Sequence, residues 1–133
     1  MDPAGRHFAT GAYDGTANLW DVAQLACLRP CCTSLEEGVG SLGFCFDGSY
    51  IAGVSEVDSR NPTTRKMIDV SQVSTGETVL KLDTRSFARR LAWHPSQYIM
   101  ANGGDKAERS SDDRYGERSK TEVPVTITTF QHR

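Results

Sequence analysis

Two carboxylate pairs are the first candidates for chemistry: Asp14 with Asp21, and Glu36 with Glu37. Paired carboxylates do acid–base work when their surroundings hold one protonated and the other ionised. Asp14 precedes Gly15 and Asp21 closes a strand-like run, so turn and strand-end geometry accounts for both, and Glu36-Glu37 stands beside Gly38 in a connecting segment. No Gly-x-Ser-x-Gly elbow presents a nucleophile, and Asn102-Gly103-Gly104-Asp105-Lys106 lacks the spacing and the Ser or Thr of a phosphate loop. Cys27, Cys31, Cys32 and Cys45 have no second Cys or His pair at a zinc-finger offset, and His7, His94 and His132 are scattered. The cysteines read as plain thiols packed in strands or loops. The sequence predicts no enzyme, no metal, no cofactor and no small-molecule substrate.

Binding chemistry has one basic candidate. Arg85, Arg89 and Arg90 flank Phe87, and guanidinium groups beside an aromatic ring suit phosphate and base contacts. Fifteen Lys and Arg against seventeen Asp and Glu leave a net charge of −2, which excludes a nucleic-acid clamp built on bulk charge. The cluster therefore reads as a rim or protein-partner contact, with RNA reached indirectly. Trp20 and Trp93 are candidate interface anchors by residue type, but each ends a strand-like run and reads better as core, with the Trp20 indole bonded to Thr10 or a neighbour.

The elements that must carry these residues repeat. Phe8, Ile51 and Met100 occupy one position in three degenerate copies, spaced by 43 and 49 residues. Each copy divides into short strands separated by turn chemistry, and no segment keeps a helical period. Asp14-Gly15 and Asp47-Gly48 pair an aspartate able to bond its own turn with a glycine that tolerates positive φ. Leu42, Phe44 and Phe46 alternate as a half-buried strand does, Thr75-Gly76-Glu77 makes a further turn before Thr78 to Leu82, and Leu91 and Trp93 resume the alternation before Pro95. The class is all-β.

Residues 57–66 read as a lengthened turn, carrying Pro62 and mixed polar groups without a period. Residues 103–122 mix both signs of charge with little to bury, which predicts a flexible loop, and Val125-Thr126-Ile127-Thr128 predicts a last strand within 123–130. With 133 residues, 38% of them of the apolar types, the chain has room for one small domain or a piece of a larger one. The N-terminus shows no secretory signal, and no run is long and apolar enough to span a membrane, which predicts a soluble intracellular chain.

Asp14-Gly15-Thr16 followed by Leu19-Trp20-Asp21-Val22 resembles the end of a WD40 repeat, whose four strands form one blade of a β-propeller. Phe44-Cys45-Phe46-Asp47-Gly48 and Ala92-Trp93-His94-Pro95 look like the first-strand endings of two further blades. The resemblance implies that Thr10, Asp14 and Trp20 are three members of the hydrogen-bonded tetrad that locks a blade. The fourth, a histidine, is missing, and the second and third copies lack the Trp. On this reading Thr10, Asp14, Trp20, Asp21, Asp47 and Trp93 are structural blade residues.

Asp2 to Gly11, Leu19 to Val22, Cys27, Thr75 to Glu77 and Ala92 to Pro95 are further similar to the C-terminal part of the WD40 subunit of the THO complex, its third. That resemblance implies a non-catalytic nuclear scaffold acting in mRNA processing and export, with other THO subunits as partners. Two alternatives stay open: a WD40 scaffold of an unrelated signalling or ubiquitin-ligase assembly, and a direct RNA binder using Arg85, Arg89 and Arg90.

The copies give about two and a half blades: 1–36 as an incomplete first, 37–84 as a second with its insertion, and 85–133 as an incomplete third. Closed propellers take at least four. The arc is therefore open, with apolar faces at both ends and unpaired strand edges, which predicts a fragment that is marginal alone or associates with itself.

Overall fold

The computed structural model describes residues 1–56, 67–83, 87–105 and 125–129. Turn residues cut this chain into ten short strands: β1 (His7–Gly11), β2 (Ala17–Asp21), β3 (Ala26–Cys31), β4 (Val39–Phe44), β5 (Tyr50–Ser55), β6 (Met67–Gln72), β7 (Thr78–Asp83), β8 (Phe87–Trp93), β9 (Ile99–Asp105) and β10 (Val125–Thr129). Among the described residues there is no helix, and so none long and apolar enough to cross a membrane. The strands form three antiparallel meanders, ordered β1-β2-β3, β4-β5-β6-β7 and β10-β9-β8. The all-β class and the open run of about two and a half four-stranded units both hold.

Tight turns set the registers. Gly15 takes φ +86°, and the Asp14 carboxylate accepts from the backbone N–H and hydroxyl of Thr16, so the hairpin places Phe8 opposite Trp20 and Ala9 opposite Leu19. A side chain at position 15 would also strike the carbonyl of Leu35, since a Cβ there would lie 2.2 Å from that oxygen.

Alternation along the strands gives each sheet two apolar faces. Ala17 and Leu19 of the first sheet meet Ile51 and Val73 in one core, closed by Cys31, Cys32 and Leu35. Ala52, Val54, Ile68 and Val70 of the second sheet face Met100 in the other core, flanked by Leu91 and Trp93 of the third. Phe8, Ile51 and Met100 are each the second residue of their strand. Ile51 and Met100 are wholly buried at successive sheet-to-sheet contacts, each burial contributing about 1.5–3 kcal/mol. Phe8 is only half-buried, stacked on Trp20 with ring centroids 5.9 Å apart. The position is the same; what differs is that no described sheet lies beyond Phe8.

One expected boundary moves. Gly103, Gly104 and Asp105, read from sequence as the start of the charged loop, continue β9, paired with Arg90, Ala88 and Phe87 of β8. Backbone pairing, with β8 for both glycines and also with Val125 of β10 for Gly103, carries two residues of low strand propensity into the sheet. Residues 57–66 and 106–122 lie outside the described residues.

Candidate interaction surface

One edge of the stack is made of tight turns that bond to one another. Asp47, beside Gly48 at φ +75°, accepts from the Ser49 N–H (3.0 Å), the Ser49 hydroxyl (2.6 Å) and the Cys45 thiol (3.0 Å). Its second oxygen accepts from the hydroxyl of Tyr98, which belongs to the β8–β9 turn of the third sheet. The Tyr98 ring also packs against Phe46 and edge-on against Tyr50, at centroid distances of 5.0 and 5.5 Å. Burial alone would raise the Asp47 carboxyl, but the donors from Cys45, Ser49 and Tyr98 outweigh it and hold the group well below the usual carboxylate range.

At the same edge the Asp2 side chain is enclosed and accepts from the Ala4 N–H (2.7 Å) and Arg6 Nε (3.3 Å), with His7 Nδ1 at 3.4 Å. Its burial likewise works upward and is outweighed by Ala4, Arg6 and His7, so this carboxyl too is lowered. Between these two anchors runs a groove of about 470 Å³, lined by residues that include Arg6, Leu28, Arg29, Gln72 and Ser74. Arg29 is not free to take a ligand with both ends of its guanidinium. Its Nη1 donates to the carbonyls of Val73 (2.8 Å) and Ser74 (2.6 Å), strutting the first sheet against the second.

Trp20 Nε1 donates to Thr10 Oγ1 at 2.9 Å on the face of the first sheet turned away from the second. Asp14 stays within its own turn, and Asp21 accepts from the Gln24 N–H at 2.8 Å. Trp93 is half-buried and donates from Nε1 to the carbonyl of Gly43 at 2.9 Å, joining the third sheet to the second. Of the basic cluster, Arg85 lies outside the described residues, Arg89 is placed only by its backbone in β8, and Arg90 is exposed on the same strand. The described residues contain no group of three or more His, Cys, Asp or Glu able to hold a metal, and Cys27, Cys31, Cys32 and Cys45 are free thiols.

Sequence reasoning missed a buried polar joint. Asp69, wholly enclosed, accepts from the Ser34 N–H (2.9 Å), the Ser71 hydroxyl (2.9 Å) and the Thr78 hydroxyl (3.0 and 3.1 Å), while Ser71 Oγ accepts from the Cys32 N–H (3.0 Å). By register, Asp69 and Ser71 hold the positions that Asn18 and Trp20 hold in the first sheet, on the face carrying Ile51. The signal was present as Asp69 and Ser71 alternating with the apolar Ile68 and Val70 in β6. The Cys32 thiol, beside Cys31, is pushed up by its hydrogen bond to that neighbour, by burial and by the nearby Asp69 charge, so it stays protonated.

Leu25 was missed as well. It takes φ +51° in the β2–β3 turn and is 73% exposed, whereas the same place in the β6–β7 turn is Gly76 at φ +77°. A branched side chain in the left-handed region is strained, and here it gains no burial for the strain.

Meandering antiparallel sheets stacked face on face, with a Thr–Trp bond across the first and short Asp-Gly turns before β2 and β5, define a run of β-propeller blades of the WD40 kind. Residues 1–21 match the WD40 family, described as "WD domain, G-beta repeat". THO complex subunit 3 from Arabidopsis thaliana is 36% identical over 105 residues, an alignment covering 79% of this chain and 30% of that protein. Among solved structures, the β-propeller domain of Cps50 (Swd1) from Myceliophteria thermophila superposes with a TM-score of 0.64 at 12% identity, covering 96% of this chain and 35% of that one. The chain thus spans about a third of the length of the relatives it matches. The solved structure speaks for the fold, and the THO subunit for the kinship.

Proposed function

We infer that this chain contributes part of a non-catalytic WD40 scaffold in a nuclear assembly of the THO type, acting in mRNA processing and export. The identity with THO complex subunit 3, which runs through most of the chain, carries the reading. The architecture is consistent with it: the Asp47 and Asp69 carboxylates and both indoles are engaged in turns and sheet joints, leaving turns and loops on a fixed frame to meet other proteins. The partners are the other subunits of that complex. RNA is reached through them, with Arg90 and its neighbours Arg85 and Arg89 as protein contacts.

Affinity purification of the tagged chain from nuclear extract, followed by mass spectrometry, tests this. Recovery of other THO subunits is expected, and it should weaken when Arg85, Arg89 and Arg90 are all replaced by Glu. Recovery of a different assembly, with no THO subunit, overturns the reading. A salt-sensitive RNA shift by the purified chain, lost in the same triple variant, would move the arginines from protein to RNA contact.

A further inference from the structure

Three turns of one build stand along the same edge, one per sheet. In each, the backbone N–H of the first residue donates to the carbonyl five residues on: Asp2 to His7 (2.9 Å), Cys45 to Tyr50 (3.0 Å) and His94 to Ile99 (2.7 Å). The residue before that carbonyl is Arg6, Ser49 and Tyr98 in turn. Tyr98 closes the junction between the third sheet and the second: its ring lies against Phe46 and Tyr50, and its hydroxyl donates to Asp47. Ser49 has no ring to do the same toward the first sheet, and its hydroxyl donates to Asp47 of its own turn at 2.6 Å. The groove of about 470 Å³ lies at this unfilled junction, with His7 and Ser49 in its lining. Both of its walls belong to described sheets.

The chemistry around the groove is cationic. Arg6 places Nε on Asp2, and its two terminal nitrogens have no partner among the described residues. A Cβ at Gly48 would lie 3.2 Å from Arg6 Nη2, which sets that nitrogen at the groove wall. Arg29 adds Nε and Nη2, since the Val73 and Ser74 carbonyls take only its Nη1. The lining carboxylate, Asp47, is taken up by Cys45, Ser49 and Tyr98. We propose that this groove takes an extended acidic segment of a partner protein. An aromatic side chain of that segment fills the place that Tyr98 fills at the next junction, and flanking carboxylates meet the guanidinium groups of Arg6 and Arg29. A chain of net charge −2 favours such a local contact over a polyanion such as RNA. The site is separate from Arg85, Arg89 and Arg90, and it stands whether or not the partner is a THO subunit.

The test is fluorescence anisotropy of a labelled peptide, Glu-Glu-Tyr-Glu-Glu, titrated with the purified chain. Saturable binding is expected, weaker for Glu-Glu-Ala-Glu-Glu and absent for Lys-Lys-Tyr-Lys-Lys. Arg6→Gln should weaken it about fivefold, the scale of one exposed ion pair. Ser49→Tyr should abolish it with the circular-dichroism spectrum retained, because the new ring fills the groove as Tyr98 fills the next junction. If that chain fails to fold, Ser74→Glu, which sets a carboxylate at an exposed lining position, should weaken binding instead. Lys81→Gln, on an exposed position of β7 outside the groove, should leave binding unchanged. No saturable binding, equal binding of the alanine peptide, indifference to Arg6→Gln or to the groove-filling variant, or displacement of the peptide by an equal concentration of oligouridylate would each overturn the proposal.

Discussion

Asp69 in the second sheet accepts the backbone N–H of Ser34, 2.9 Å away in the segment that leaves the first sheet, and so fastens one sheet to the next with an enclosed charge. An apolar contact between sheets is non-directional and tolerates sliding. A carboxylate with several fixed donors does not, and here it sets the position of the Cys32–Ser34 strand exit against β6.

Replacing Asp69 by Ala leaves the Ser34 N–H and the Ser71 and Thr78 hydroxyls without their acceptor. The expected loss is about 3 kcal/mol, the scale of breaking a buried charged hydrogen-bond group. Urea unfolding monitored by circular dichroism measures it. Asp69→Asn, which keeps an oxygen acceptor, should cost less than Asp69→Ala.

Thr10→Val removes the acceptor of the Trp20 indole while keeping the shape of the side chain. The bond lies on an exposed face, so the expected cost is small, about 0.5–1 kcal/mol. Trp20 fluorescence during denaturant unfolding reports both the stability and the changed environment of the indole.

Leu25→Gly should stabilise the chain. Releasing a left-handed Leu recovers roughly 1–2 kcal/mol, of which glycine's extra freedom in the unfolded state takes back roughly 0.5–1, for a net gain of about 0.5–1 kcal/mol. The reciprocal Gly76→Leu should destabilise, because its Cβ would lie 2.6 Å from the Pro30 carbonyl. Midpoints of thermal unfolding for the two variants should move in opposite directions.

Acid should weaken the fold through Asp47 and Asp2. Both carboxyls lie below their ordinary value in the folded chain, so the unfolded chain takes up protons first as pH falls. The stability they contribute is present above the ordinary aspartate range near pH 4 and is lost as pH falls through and below it. Melting temperatures measured between pH 6 and 2 should drop across that window. Asp47→Asn should flatten part of the drop while leaving the melting behaviour above pH 6 without a new pH dependence.

The parts legible in the sequence are those where local chemistry and tertiary need agree. Asp14-Gly15 and Asp47-Gly48 announce their turns because backbone sign and side-chain acceptor are both local, and Leu42 and Phe44 announce β4 because one face is buried. The Phe8, Ile51 and Met100 equivalence was visible because the stacking plan is copied in each sheet. β3 gives little warning, since Arg29 and Pro30 belong to a strand defined by pairing with β2 and by carbonyl acceptors in the second sheet. Asp69 shows in the sequence only as a polar residue alternating with apolar ones, and its joining role does not, because its donor in the first-sheet exit, Ser34, lies 35 residues away. Leu25 could not be read as a left-handed residue, because its type argues against the conformation that the copied turn imposes.

The stacking plan itself is tested most directly by truncating its three equivalent residues to alanine one at a time. Ile51→Ala and Met100→Ala, each emptying a sheet-to-sheet contact, should cost about 2–5 kcal/mol by urea unfolding, and Phe8→Ala, on an uncovered face, about 1 kcal/mol or less. Equal costs at all three positions, or a Phe8→Ala cost exceeding the other two, would contradict it.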